Sequence, residues 1–218
     1  MPRIGAILIG QSPRPDLVKP LQKVNPHFQY IEAGALDFVD EADIPATPRG
    51  DYILTTRLRD GRVVEVDEKF LFPLLQKAIA DVERQGVTLS VLLCAGPFEG
   101  LGGDKPLYRP TAMASTIMHS RGSQRIAVLS PNETQATAIN QKWLNLGFSP
   151  IVIVDPGLPD VELGHWLKGQ LSFTSVDHLV IDYVGHPVEK AKTLEQILNI
   201  SVIDLGKIIG DMLRHITP

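Results

Sequence analysis

Short apolar runs alternate along this chain with longer stretches of helical spacing, and Gly, Pro and Ser punctuate the joins. Buried parallel strands look like such runs, so the alternation restricts the chain to an α/β architecture of open parallel sheets covered by helices. The expected strands are Ile4 to Ile9, Gln29 to Ala33, Leu89 to Cys94, Arg125 to Leu129, Ser149 to Val154 and Asp177 to Ile181. The expected helices are Pro15 to Val24, Asp67 to Gln85, Thr111 to His119, Glu133 to Leu146, Leu158 to Leu171, Val188 to Leu198 and Ile203 to His215. One segment interrupts the alternation. The strand-like runs Tyr52 to Arg59 and Arg62 to Val66 flank Asp60-Gly61, a strong hairpin signal. A hairpin inserted in an open α/β lobe serves as an edge extension or a flap over a site.

The two halves repeat weakly. In the first, a strand runs into Gly10-Gln11-Ser12-Pro13 and a helix; in the second, Ala127-Val128-Leu129 runs into Ser130-Pro131-Asn132 and a helix. Leu92 to Pro97 is echoed by Val180 to Pro187, which sets Cys94 against Tyr183. The expectation is two pseudo-symmetric open α/β lobes with the hairpin in the first. The first lobe covers 1–110, completed by a C-terminal helix over 203–218, and the second covers 111–202. Ligands of open α/β sheets bind at the loops beyond the carboxyl ends of the strands, so a shared cleft is the expected site.

A net charge of -4 without a dense Lys/Arg face excludes the electrostatic footprint of phosphate-backbone binding, so no nucleic-acid partner is expected. The N-terminal apolar stretch is shorter than a signal sequence and far below a membrane span. With a single cysteine the chain has no internal disulfide, which fits a reducing, cytoplasmic location. The six histidines are scattered without ligand spacing, and neither a dinucleotide fingerprint nor a P-loop is present. No metal and no cofactor are expected. The composition leaves room for a homo-oligomer.

Cys94, at the end of an expected central strand before Ala95-Gly96-Pro97, has two readings: a thiolate steadied by turn amides, or a small buried core residue. Gln11, Ser12 and Arg14 sit at a strand-to-helix junction, where free amides favour a carboxylate. The plainer reading makes Ser12 an N-cap with Pro13 at the first helical position. Ser130, Asn132, Glu133 and Thr134 carry the same ambiguity. Tyr183 and His186, beside Asp182, are the polar groups of the matching loop in the second half. Arg57 and Arg59 alternate along the hairpin strand and would share a face.

Three separated segments resemble the AroM family: Arg3 to Arg14, Leu54 to Gly61, and Leu92 to Phe98. That family is similar in architecture to the aspartate/glutamate/hydantoin racemases. The resemblance implies two lobes and, in the racemases, two facing cysteines that exchange a proton at the substrate α-carbon without a cofactor. Cys94 matches the first position. At the second the resemblance implies a cysteine at Tyr183, and none is there. Two-thiol racemisation is thereby excluded, while one-base proton transfer, decarboxylation or cis/trans isomerisation through Cys94 stays open. The expected function is a cofactor-independent racemase- or isomerase-like protein for a small carboxylate, with Cys94, Tyr183 and His186 catalytic and with Gln11, Ser12, Arg14, Arg57, Gly96, Ser130, Asn132, Glu133 and Thr134 binding substrate. Two alternatives remain: a non-catalytic binding or sensing module, and a single-thiol lyase.

Overall fold

The structure is a computed structural model describing residues 1–187 and 189–216. The chain divides into two compact units, one of Met1–Pro110 with the residues from Ile209 onward, the other of Thr111–Ile208.

In the first unit, strands β1 (Arg3–Leu8), β2 (Gln29–Gly34), β5 (Leu89–Leu92) and β6 (Leu107–Tyr108) form a parallel sheet in the order β2-β1-β5-β6. Central β1 is buried from Ile4 onward, as its unbroken apolar run requires. Helix α1 (Pro15–Val24) follows β1, and α2 (Glu68–Arg84) packs on the sheet through Leu71, Leu75, Ala78, Ile79 and Val82, one stripe at helical spacing. Asp67 caps α2 by accepting from the Phe70 amide at 2.9 Å. Gly5 of β1 lets β5 and α2 approach closely, since a Cβ there would stand 2.3 Å from Ser90 Oγ of β5 and 2.9 Å from the Val82 side chain of α2.

The inserted hairpin is antiparallel, β3 (Ile53–Arg57) on β4 (Val63–Asp67). Its turn is longer than the dipeptide signal implied. The Leu58 amide donates to the Arg62 carbonyl at 2.8 Å, leaving Arg59-Asp60-Gly61 as the loop, with Gly61 at φ 90° in the left-handed position such a loop demands. Arg59 therefore lies in the turn and does not share a strand face with Arg57.

In the second unit, β7 (Arg125–Ser130), β8 (Ser149–Val154), β9 (His178–Ile181) and β10 (Ser201–Asp204) form a parallel sheet in the order β10-β9-β7-β8. The helices are α3 (Pro110–Ser120), α4 (Glu133–Asn145), α5 (Asp160–Gln170), α6 (Lys190–Leu198) and α7 (Leu205–Leu213), the last counted in the first unit from Ile209 onward. The core gathers Ala127, Leu129, Leu163, Leu167, Leu179, Ile181 and Leu194. Three expectations need correction. Ser201–Asp204 is a strand paired with β9, not the start of a helix, because Val202 and Ile203 run unbroken into the apolar face of α7 and periodicity cannot part them. Strand β6 was missed because two residues carry no period. Helix α6 begins at Lys190, and Val188, Thr217 and Pro218 of the expected helices lie outside the described residues.

The two sheets repeat one hydrogen-bond pattern. The Leu93 amide donates to the Ile7 carbonyl and the Asp182 amide to the Leu129 carbonyl; likewise Ala35 donates to Leu8 and Asp155 to Ser130. At the other sheet edge, Thr88 donates to Arg3 and Asp177 to Arg125. This register makes Ile7 equivalent to Leu129, Ala35 to Asp155, and Cys94 to Tyr183. It corrects the alignment of Ser12 with Ser130: Ser130 corresponds to Leu8, and the first unit inserts extra residues before its helix.

Candidate functional site

Cys94 lies two residues past the last bridge of β5 and is buried, at 4% exposure. Its Sγ accepts from the Gly96 amide at 3.2 Å. A Cβ on Gly96 would stand 2.6 Å from the Phe98 ring, so a glycine is needed for the turn to fold over the sulfur. Phe98 is fully buried at φ 25°, a left-handed value rare for a bulky residue, which its packing must hold. Arg109, at the end of β6, steadies the turn by donating to the Phe98 carbonyl at 2.8 Å.

The loop after β1 is already supplied with carboxylates from within the chain. Asp37 accepts from the Ser12 amide at 2.6 Å, the Ser12 hydroxyl at 2.8 Å and the Gly34 amide at 2.7 Å. Glu32 accepts from the Arg14 amide at 2.6 Å. Ser12, joined to Pro13 by a cis bond, is not the cap of α1; the helix starts at Pro15 with Arg14 in the cap position, and Arg14 pairs with Asp16. That pairing holds the Asp16 carboxyl below its usual range. Gln11 spends its side chain as a brace, donating to the Leu36 carbonyl and accepting from the Arg59 amide. Its own amide donates to the Arg57 carbonyl, whose side chain is exposed. Arg59 Nε donates to the Ser12 carbonyl at 2.8 Å, so the hairpin tip is tied to this loop.

In the second unit, Asn132 caps α4 by accepting from Gln135, and the Ser130 hydroxyl donates to the Asn132 carbonyl. The plainer capping reading thus describes the Asn132 side chain. Glu133 and Thr134 are exposed in the first turn.

The loop after β9 holds a titratable group that sequence reading found only in part. The Tyr183 hydroxyl donates to Asp155 Oδ2 in a short bond, and Lys190 Nζ donates to the same oxygen at 2.8 Å while lying 5.5 Å from the Tyr183 ring centre. Burial, then Asp155, raises the phenol pKa above its ordinary value, so Tyr183 stays protonated and is no base. Burial works against the Asp155 charge, yet Lys190, Tyr183 and the Gly157 amide hold its carboxyl below the usual range. His186 meets the Tyr183 ring edge-on, its Nδ1 is 3.1 Å from the Pro187 carbonyl, and its Nε2 is 3.1 Å from Asp204 Oδ1. The last contact is an ion pair by distance but is not aligned as a hydrogen bond. Burial disfavours the charged imidazole, but Asp204 and the Pro187 carbonyl outweigh it and lift the His186 pKa above 6.5.

That shift has a sign. A histidine whose folded pKa exceeds its unfolded one contributes stability fully below the unfolded value near 6.5, and loses it as pH rises through the folded value. Wild type should therefore exceed Asp204→Asn in stability by more at pH 5.5 than at pH 8.5, as read by urea unfolding at the two pH values.

Asp182, beside Tyr183, points the other way: it is fully buried, bonded to Lys142 Nζ at 2.7 Å and to Trp143 Nε1 at 3.0 Å. Burial pushes its carboxyl up, with Lys142 and Trp143 opposing. Sequence reading missed Asp37, Asp155, Lys190 and Asp204. Asp155 was findable, since it directly follows an expected strand; the others carry no spacing signal. Among the described residues no group of three or more His, Cys, Asp or Glu is placed to hold a metal, and no helix is long and apolar enough to cross a membrane.

Two parallel four-stranded sheets with one repeated register, each bearing polar groups on the loops past its third strand, define a two-unit α/β protein. The sequence matches the family described as AroM protein over residues 4–217, and the chain belongs to that family. Among solved structures it resembles arylmalonate decarboxylase (TM-score 0.67, 11% identity, 100% of this chain and 94% of that one). It also resembles allantoin racemase from Klebsiella pneumoniae (0.65, 14%, 99% and 87%). A third is the maleate isomerase of Pseudomonas putida S16 with maleate (0.61, 11%, 98% and 90%). At these identities the likeness is one of fold. No curated protein matches the sequence.

Proposed function

We propose that this chain is a cofactor-independent enzyme of the racemase/isomerase kind, which moves a proton on the carbon beside the carboxylate of a small molecule, with Cys94 as the base. The observation that carries the reading is the Gly96 amide 3.2 Å from Cys94 Sγ at the end of β5, since a donor aimed at sulfur favours the thiolate. Tyr183 occupies the equivalent place in the second unit, and with one cysteine in the sequence only one-thiol chemistry is available. Proton exchange, decarboxylation and cis/trans isomerisation fit; two-thiol racemisation does not. The substrate class is drawn from the fold relatives, a decarboxylase, a racemase and an isomerase by name. Within the second unit, the start of α4, Ser130 to Thr134, is assigned to anion binding, since a helix N-terminus favours an anion. Gln11 and Ser12 serve instead as braces of the first loop.

The test is proton NMR in deuterated buffer with a panel of small 2-substituted carboxylates, following loss of the α-proton, of carbon dioxide, or of cis geometry. At least one compound should react. A rival reading, a binding module on the same fold, is favoured by the burial of Cys94. Thermal stabilisation by a carboxylate that undergoes no exchange, with iodoacetamide labelling Cys94 only after denaturation, would establish that rival and end the thiol mechanism.

A further inference from the structure

The seat formed by the Ser12 amide, the Ser12 hydroxyl and the Gly34 amide has the chemistry of a carboxylate receptor, and Arg59 Nη2 adds a cation 3.4 Å from the occupant. Its occupant is Asp37, with a side chain only 11% exposed and both oxygens engaged. We propose that Asp37 is a specificity determinant: a carboxylate built into the chain that fills the anion seat at the strand ends of the first unit and so denies it to a ligand's second carboxylate.

Three observations carry this. The donors converge from separate segments, the loop after β1 and the end of β2, so the seat belongs to no single turn. The seat requires glycine at position 34, since a Cβ there would stand 2.3 Å from the Gly10 carbonyl and 2.9 Å from both Asp37 Oδ1 and the Ser12 nitrogen. Leu8 pairs with Gly34 and Ile7 with Leu92 in one parallel sheet, so Asp37 and Cys94 both follow strand ends at the same edge. An anion fixed at that edge repels a second anionic group and leaves acids with a single carboxylate as the preferred class. This consequence rests on the enzyme reading above; the occupancy of the seat does not.

The experiment is chemical rescue. Asp37→Ala vacates the seat while the rest of the chain stays as it is, and Asp37→Asn keeps an acceptor without the charge. The difference in wild-type melting temperature between 100 mM sodium acetate and 100 mM sodium chloride sets the baseline, because acetate can also bind the proposed ligand site. Asp37→Ala should melt lower in chloride and regain about 3 °C or more in acetate beyond the wild-type baseline, as expected for an anion binding the folded state near 10 mM. Asp37→Asn should fold without needing acetate. A gain of Asp37→Ala in acetate no larger than the wild-type baseline overturns the seat. In the exchange assay, wild type should favour monocarboxylates over their dicarboxylate counterparts, alanine over aspartate and propionate over succinate, and Asp37→Ala should narrow that preference tenfold or more. Rescue without any change of preference overturns the specificity role. Rescue in a protein whose wild type exchanges none of the acids supports the seat and counts against the enzyme reading alone.

Discussion

Replacing Cys94 with serine is expected to lower proton exchange at the substrate α-carbon by about 100- to 10,000-fold, the usual contribution of a positioned general base, while ligand binding changes little. A hydroxyl is too weak an acid to be present as its anion near neutral pH, so the base is lost although its place is filled. Serine can still accept from the Gly96 amide, which at present donates to the sulfur. The variant should therefore lose only about 1 kcal/mol of stability. Exchange rate and urea unfolding measured on the same samples separate chemistry from folding. An unchanged exchange rate would remove Cys94 from the mechanism. Loss of folding alongside activity would call for Cys94→Ala as the second variant, which leaves no polar group behind.

The largest effect on stability should come from Lys142, far in role from any ligand. Lys142 and Asp182 are 3% and 0% exposed and are bonded to one another, with Trp143 Nε1 completing the carboxylate's partners. Removing the cation as Lys142→Met strands a buried charge and should cost about 3–5 kcal/mol. The cost depends on pH in a defined direction. Burial already raises the Asp182 carboxyl, and losing Lys142 raises it further. A carboxyl with a raised folded pKa already holds its proton at the unfolded value near 3.8, so the penalty is smallest near pH 4 and grows as pH rises toward the folded value. Adding Asp182→Asn should recover most of the loss, because the amide oxygen can still accept from Trp143. Urea unfolding of the single and double variants at pH 4 and pH 7 reads both points. A Lys142→Met protein as stable as wild type at pH 7 would contradict the ion pair.

Much of the architecture was legible before any coordinates. Apolar runs such as Ile4 to Leu8 and Pro150 to Val154 are fully or half buried in strands because their composition gives them no other stable place, and the stripe of α2 fixes which face meets the sheet. Boundaries failed where one apolar run serves two elements, as at Ile203, or where a strand is only two residues long, as at Leu107–Tyr108. Those errors share a cause: periodicity needs length, whereas strand pairing is decided by a neighbour remote in sequence.

The sequence by itself determined the parallel α/β class, the punctuation that ends each strand in a loop, and the presence of a single thiol. Tertiary structure alone decided what those loops do. It brought Asp37 onto Ser12 from 25 residues away, which turned an expected ligand seat into a filled one. It brought Asp155 to Tyr183 from 28 residues away and Asp204 to His186, giving one side chain a fixed proton and the other a raised pKa. Strand propensity and turn chemistry act over a few neighbours and can be read from the chain, but the partner of a polar side chain depends on which distant segments the sheet register sets side by side.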